Sequence, residues 1–276
     1  MNPDFDPEQR AIHHEALNVY NRETNLIRSK PTSVDSVNAT NFLAGQATIF
    51  ADAALVLMED SRQPLNVPAA LLRTCLEAQA RANHIVAAKG QERENRAKEF
   101  IQLMHVGHEY YVKSTIQLMK DFIPDESNLL HRDRPYFPVM KSHLGKIDTS
   151  DLEALKKRYK RISSDWTYGK VIERDKFGDP ISIKRTEAQP LQPMLDLAYM
   201  QSCAFVHCDP ASIRHSQILT TVGLAHALVL AEIIAITCFF VTLEKEKDQD
   251  IVNIKKRIIA LDVNEKIFPK KDLPTI

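Results

Sequence analysis

A chain of 276 residues with 44% hydrophobic and 26% charged content is ordinary globular material, long enough to bury the core of one large helical domain. Its 36 basic residues balance 36 acidic ones, which excludes a global electrostatic pull toward nucleic acid or an anionic membrane and leaves such binding to a local patch. Seven glycines leave little room for a phosphate-cradling loop, and the sequence contains neither a dinucleotide fingerprint nor GxSxG.

The first helix is predicted from Pro7 to about Arg28, with Asp6 as its cap, Pro7 at the first helical position and Pro31 beyond its end; residues 1–35 thus form an N-terminal helical segment. A second helix follows from Ser36 to Met58, where Ala39, Phe42, Leu43, Ala47, Phe50, Ala54 and Leu57 recur at helical spacing and the alanines admit a close neighbour. Asn66 and Pro68 open a third, which runs to about Lys89 and stops at Gly90. A fourth extends from Glu92 to Phe122 and is closed by Pro124. Residues 123–149 hold Pro124, Pro135 and Pro138 among His131, Arg132, Asp133 and Arg134, and read as an irregular connector. Ser150 and Glu153 form a capping box for a short basic helix.

After Trp166 the segment KVIERDKFGDPISIK alternates apolar and polar residues around a Gly-Asp-Pro turn, which predicts a small β-hairpin insert over 166–190. A helix from Pro193 to Cys208 then leads through Asp209 and Pro210 into an apolar segment, Ile218 to Leu243. That segment is long enough to cross a bilayer. Its Glu232 would cost about 3 kcal/mol in mid-membrane with no second span to pair against, so a buried central helix and no membrane are expected. The closing segment, 248–276, is an amphipathic helix carrying Ile251, Ile254, Ile258 and Ile259, followed by a tail. The fold class expected is mainly α: a helical bundle over 36–247 with a hairpin insert.

Cys75, Cys203, Cys208 and Cys238 fit reduced thiols, and the polar N-terminus MNPDFDPEQR lacks the pattern of a secretory signal, so a cytoplasmic location is expected. Two basic runs, Lys156 to Arg161 and Lys255 to Arg257, read as solvated helix faces.

The polar constellations are few. Arg73, Glu77, Arg81 and His84 fall within roughly 80° of one another on the third helix, opposite an apolar face. They can form a surface ion-pair ladder, or they can line a crevice in which arginine offers a planar fork to phosphate or carboxylate and Glu77 orients it. In YMQSCAFVHCD, Tyr199 and Ser202 share a face, and His207 near the helix end can cap the helix or serve as general acid or base, with Asp209 holding its ring. His105, His108 and Glu109 lack a third ligand, so neither a metal nor a cofactor is expected; His13 and His14 are adjacent and face different ways.

Taken together, LLRTCLEAQARANHIV, the Trp in DWTYGK, YMQSCAFVH and the apolar helix resemble a bacterial family of domains of unknown function whose members resemble HEPN bundles, over about residues 40–243. The matching positions are Arg73, Glu77, Trp166, Tyr199, Ser202 and His207. The resemblance implies an α-helical, often dimeric protein of toxin–antitoxin or phage-defence type, many of which cut RNA with an Arg and a His that have four to six residues between them. This sequence departs from that pattern, because no arginine has a histidine five to seven positions downstream. Two functions follow as expectations. The first is a HEPN-like, non-catalytic module of defence or stress type that forms a homodimer or binds a protein or RNA partner. The alternative is a ribonuclease with a composite catalytic site of Arg73, Glu77 and His207, and with Arg81, His84, Trp166, Tyr199 and Ser202 in binding roles.

Overall fold

Asp6 opens the first helix of the computed structural model as its sequence predicts: its carboxylate accepts the Glu8 backbone N–H at 2.9 Å, with Pro7 next to it. The structure describes residues 6–60, 66–122, 135, 137–174, 191–206 and 221–261. Among these it contains ten helices and no strand: α1 (Pro7–Ser29), α2 (Asp35–Glu59), α3 (Asn66–Ala87), α4 (Gly90–Phe122), α5 (Phe137–Lys146), α6 (Leu152–Asp165), α7 (Tyr168–Arg174), α8 (Leu191–Val206), α9 (Thr221–Thr242) and α10 (Gln249–Ala260). The chain divides into two compact units, 1–97 with 168–276, and 98–167.

The first unit is built around α9. Every residue from Gly223 to Phe240 is buried, so this helix has no wet face and must be enclosed on all sides. α1 runs parallel to it: Gln9 donates to the Val222 carbonyl at 3.0 Å, and the Tyr20 ring meets Phe239 edge-on at 5.8 Å. α2 runs antiparallel, with Thr40 and Thr242 hydroxyls 2.8 Å apart, and it presents Ala39, Ala44, Ala47, Ala51 and Ala54 without exposure. Small side chains let backbones approach closely, and the Cys75 thiol of α3 bridges the two neighbours, reaching the carbonyls of Ala47 and Leu228. At the exit of α9, Glu244 adopts φ 59° and the Lys245 N–H closes on the Phe240 carbonyl at 2.8 Å. That turn brings the Lys245 ammonium onto Glu23 of α1.

The 98–167 unit is an antiparallel pairing of α4 and α6. Phe100 meets Trp166 at 5.3 Å, Tyr110 stacks on Tyr159 at 5.4 Å, and Lys113 bonds Asp151 at 2.7 Å. Gly107 supplies the close approach, since a Cβ there would lie 3.0 Å from the Tyr159 ring.

Four expectations change. The connector expected over 123–149 contains α5 at 137–146; residues 123–134 and 136 lie outside the described residues. The Ser150–Glu153 capping box does not form, because Asp148 takes the Ser150 N–H at 2.9 Å in a tight turn and Asp151 becomes the cap position. The first arm of the expected β-hairpin is helix α7, fixed by the Tyr168 ring packing on α8 and by buried Val171; residues 175–190 lie outside the described residues. A second helix besides α9 is long and apolar enough to cross a membrane, namely α2, which is 44% buried over that stretch against 94% for α9.

α1 meets α2 at Gly45, where a Cβ would lie 2.7 Å from the Tyr20 hydroxyl but 3.7 Å from the ring carbon carrying it. Gly45→Ala is expected to destabilise the chain by about 1–3 kcal/mol through overpacking, although alanine is the better helix former. In a Tyr20→Phe background the clash is gone, and thermal melts should show the same alanine to be neutral or stabilising.

Candidate functional site

The exposed side of α3 carries the cluster that sequence spacing singles out. Glu77 accepts from Arg73 Nε at 3.1 Å through one oxygen and from Arg81 Nη2 at 3.2 Å through the other, and the three side chains are 22–27% exposed. From α8, the Tyr199 hydroxyl donates to the same Glu77 oxygen as Arg73, at 3.4 Å. The Arg73 guanidinium lies 5.9 Å from the centre of the Tyr199 ring. Tyr199 in turn stacks on Tyr168 of α7 at 3.8 Å and 10°, and the Tyr168 hydroxyl is anchored on Asp196 at 2.8 Å. Three helices thus fix one arginine in position and orientation.

Burial, together with the Glu77 charge, pushes the Tyr199 pKa well up, so its hydroxyl stays a donor. Burial works against the Arg73 charge, but the bond to Glu77 outweighs it and holds its pKa above the usual value. Among the described residues the two guanidiniums share one carboxylate, which sets the orientation of their planar forks.

The remaining site residues divide. His84 shares the stripe by angle but is buried, because the start of α4 covers that end of α3: Arg96 donates to the His84 carbonyl at 2.7 Å and contacts Nδ1 at 3.2 Å. Ser202 is buried with its hydroxyl closed onto the Tyr199 carbonyl at 2.7 Å, so it holds a helix turn. Trp166 belongs to the 98–167 unit and is 1% exposed against Phe100, a packing residue. His207 lies outside the described residues. Among the described residues, no group of three or more His, Cys, Asp or Glu side chains is placed to hold a metal ion.

A second constellation escaped the sequence reading. His13 Nδ1 lies 2.7 Å from Glu232 Oε2, both fully buried, and His13 Nε2 lies 3.2 Å from Asp52, whose side chain is 47% exposed. Arg10 bonds Asp52 at 3.1 Å and Glu59 at 3.3 Å. Two signals pointed to it: His13 follows Gln9 by four residues and precedes Ala16 by three, both buried on α1, and Glu232 in an apolar helix demands a partner. His226, on the same helix as Glu232, is held down to about 4 by burial and stays neutral. Burial and the Glu232 charge raise Cys75 well above the usual thiol value, which makes it unreactive.

Between α1 and α10 a cleft of about 590 Å³ is lined by Glu15, Asn18, Asp250 and Arg257, among others. Ion pairs cross it, Arg257 with Glu8 and Glu15 and Arg22 with Asp248 and Asp250, so it reads as the clasp that holds α10 on α1. No family model matches the chain, and no curated protein or solved structure matches it either.

The His13–Glu232 pair gives stability a pH dependence of defined sign. Burial alone would lower His13, but the hydrogen bond and charge of Glu232 and the bond to Asp52 raise it above 6.5. Burial raises Glu232 despite His13. Both groups hold protons more tightly folded than unfolded, so their contribution is complete below the unfolded values and is lost as pH rises through the folded ones. Thermal melts should fall as pH rises above 6.5, the ordinary histidine value, and Glu232→Gln should flatten that fall. Removing one partner with Glu232→Ala should cost about 3–5 kcal/mol, while His13→Leu combined with Glu232→Met should cost less than either single loss.

Proposed function

We propose that this chain is a HEPN-like helical module of defence or stress type that binds RNA without cleaving it, through the guanidiniums that Glu77 holds on the outer side of α3. The observation that carries this reading is the double clamp itself, Arg73 and Arg81 on the two oxygens of one carboxylate, with Tyr199 beneath Arg73. Preset arginine forks recognise a phosphodiester with little further ordering, which favours binding.

The same geometry argues against turnover by these groups. Glu77 is engaged by three donors and is poorly suited to take a 2′-hydroxyl proton. Tyr199 is held protonated, and His84 is engaged by Arg96. The catalytic alternative therefore rests on His207.

The test incubates purified chain with a panel of labelled single-stranded RNAs, with and without divalent metal, and reads binding and cleavage together. Expected are a shift without product, a loss of about tenfold or more in affinity for Arg73→Ala and for Arg81→Ala, and no change for His207→Ala. Cleavage that disappears in both Arg73→Ala and His207→Ala would replace this reading with the ribonuclease. Unchanged affinity in both arginine variants would overturn the α3 site.

A further inference from the structure

Lys157, Arg158, Lys160 and Arg161 stand exposed within about one and a half turns of α6, and among the described residues none of them has a carboxylate, carbonyl or ring partner. Several helical cations elsewhere are answered at i±3 or i±4, as in Glu77 with Arg73 and Arg81, Glu92 with Arg96 and Glu109 with Lys113; on α6 itself Lys156 has Glu153. The four unanswered cations instead face one another: Lys157 with Lys160, Arg158 with Arg161, and Lys157 with Arg161 are like-charge neighbours that weaken an isolated helix. A chain whose charges sum to zero has concentrated an uncompensated positive field on one short helix.

The chemistry of the surrounding surface selects the partner. A helix that lies on an anionic membrane needs exposed apolar side chains beside its cations. The exposed residues of α6 are Glu153, Ala154, Lys157, Arg158, Lys160, Arg161 and Ser164, and its larger apolar residues, Leu152, Leu155, Tyr159 and Ile162, are covered or partly covered. α4 does expose Tyr111, Val112, Leu118 and Met119. At 100° per residue these lie roughly 80–180° around α4 from the Gly107, Tyr110 and Lys113 row that meets α6, and so off the side of α4 that α6 covers. A purely cationic face without an apolar wedge fits the sugar-phosphate backbone, where affinity comes from charge neutralisation and counterion release.

We propose that this face of α6 is a contact surface for the phosphate backbone of RNA, which gives the 98–167 unit a binding role of its own. The charge argument stands by itself; the choice of RNA rests on the function proposed above.

The test measures the affinity of the full chain for a labelled single-stranded RNA as salt is raised, for wild type, for Arg73→Ala with Arg81→Ala, and for a variant with Lys157, Arg158, Lys160 and Arg161 all changed to Gln. Because the four side chains are exposed and unpaired, the Gln variant should melt like wild type. It should bind about tenfold or more weakly near 0.1 M salt, with the slope of log affinity against log salt shallower by about 2–3 units, near 0.7 for each lost phosphate contact. A wild-type slope and affinity in the Gln variant would overturn the α6 surface and leave the α3 reading intact. A slope carried by α6 with no change in the α3 variant would support the α6 surface and overturn the α3 reading. Binding that appears with anionic vesicles and not with RNA, and is lost in the Gln variant, would overturn RNA as the partner.

Discussion

Eighteen consecutive buried residues of α9 carry one carboxylate, and the way the fold meets that demand organises the first unit. Enclosing an all-round apolar helix requires neighbours on every side, which α1, α2 and α3 supply. Burying Glu232 requires a hydrogen-bonding, proton-sharing partner, since an unpaired carboxylate in that position would be far too costly. His13 meets the requirement from α1, and Asp52 carries the chain of contacts out to the surface on α2, where Arg10 receives it. The pair adds little net energy over a well-packed apolar substitute, but it makes the alignment of α1 and α9 specific: a shift of one turn along either helix would separate the imidazole from the carboxylate.

That specificity reaches the outer surface through α3. Its inner side, Leu72, Cys75, Leu76 and Gln79, is seated against α2 and α9 without exposure, so the helix cannot roll, and its outer row is held in place by the core beneath it. Glu77 can then act as a template. Surface ion pairs at i, i+4 contribute little stability, and the arrangement is better understood as positioning than as cohesion. Tyr199 adds what an ordinary ladder lacks, a tie from a second helix and an aromatic face under the guanidinium, which takes rotamers away from Arg73 before any partner arrives.

How much of this was legible in the sequence depends on whether the signal was local. Helices α1 to α4 and α10 fall within a few residues of their predicted bounds because caps, prolines and glycine mark their ends in the chain itself. α7 was missed because KVIER alternates like a strand, and only its packing on α8 makes it a helix. The Ser150 cap failed to a competitor two residues upstream, Asp148, that local propensity ranks equally. At the site, the Arg73–Glu77–Arg81 row was readable from spacing, whereas Tyr199 joined it only through the resemblance, since no spacing rule joins residues 122 positions apart. His84 shows the converse limit: angle alone put it on the exposed row, and the neighbouring helix covers it. For His13 and Glu232 both halves of the signal were present, a histidine on a buried face and an acid in an apolar helix, and what was missing was the topology that places α1 beside α9.

The charge pattern separates two kinds of recognition. On α3 one carboxylate orients two guanidiniums, so the geometry is tightly set; such a cluster discriminates among partners by the shape of the group it receives. On α6 four cations share nothing, so the field is strong and the geometry loose; such a face speeds encounter and adds affinity without choosing sequence. In the proposed function the two therefore answer to different variables. Conditions that screen charge should act first on what α6 contributes, and substitutions that leave charge unchanged but disturb orientation, as at Tyr199, should act only on what α3 contributes. A protein of zero net charge can bind a polyanion in this way because neutrality on average does not prevent an unanswered patch.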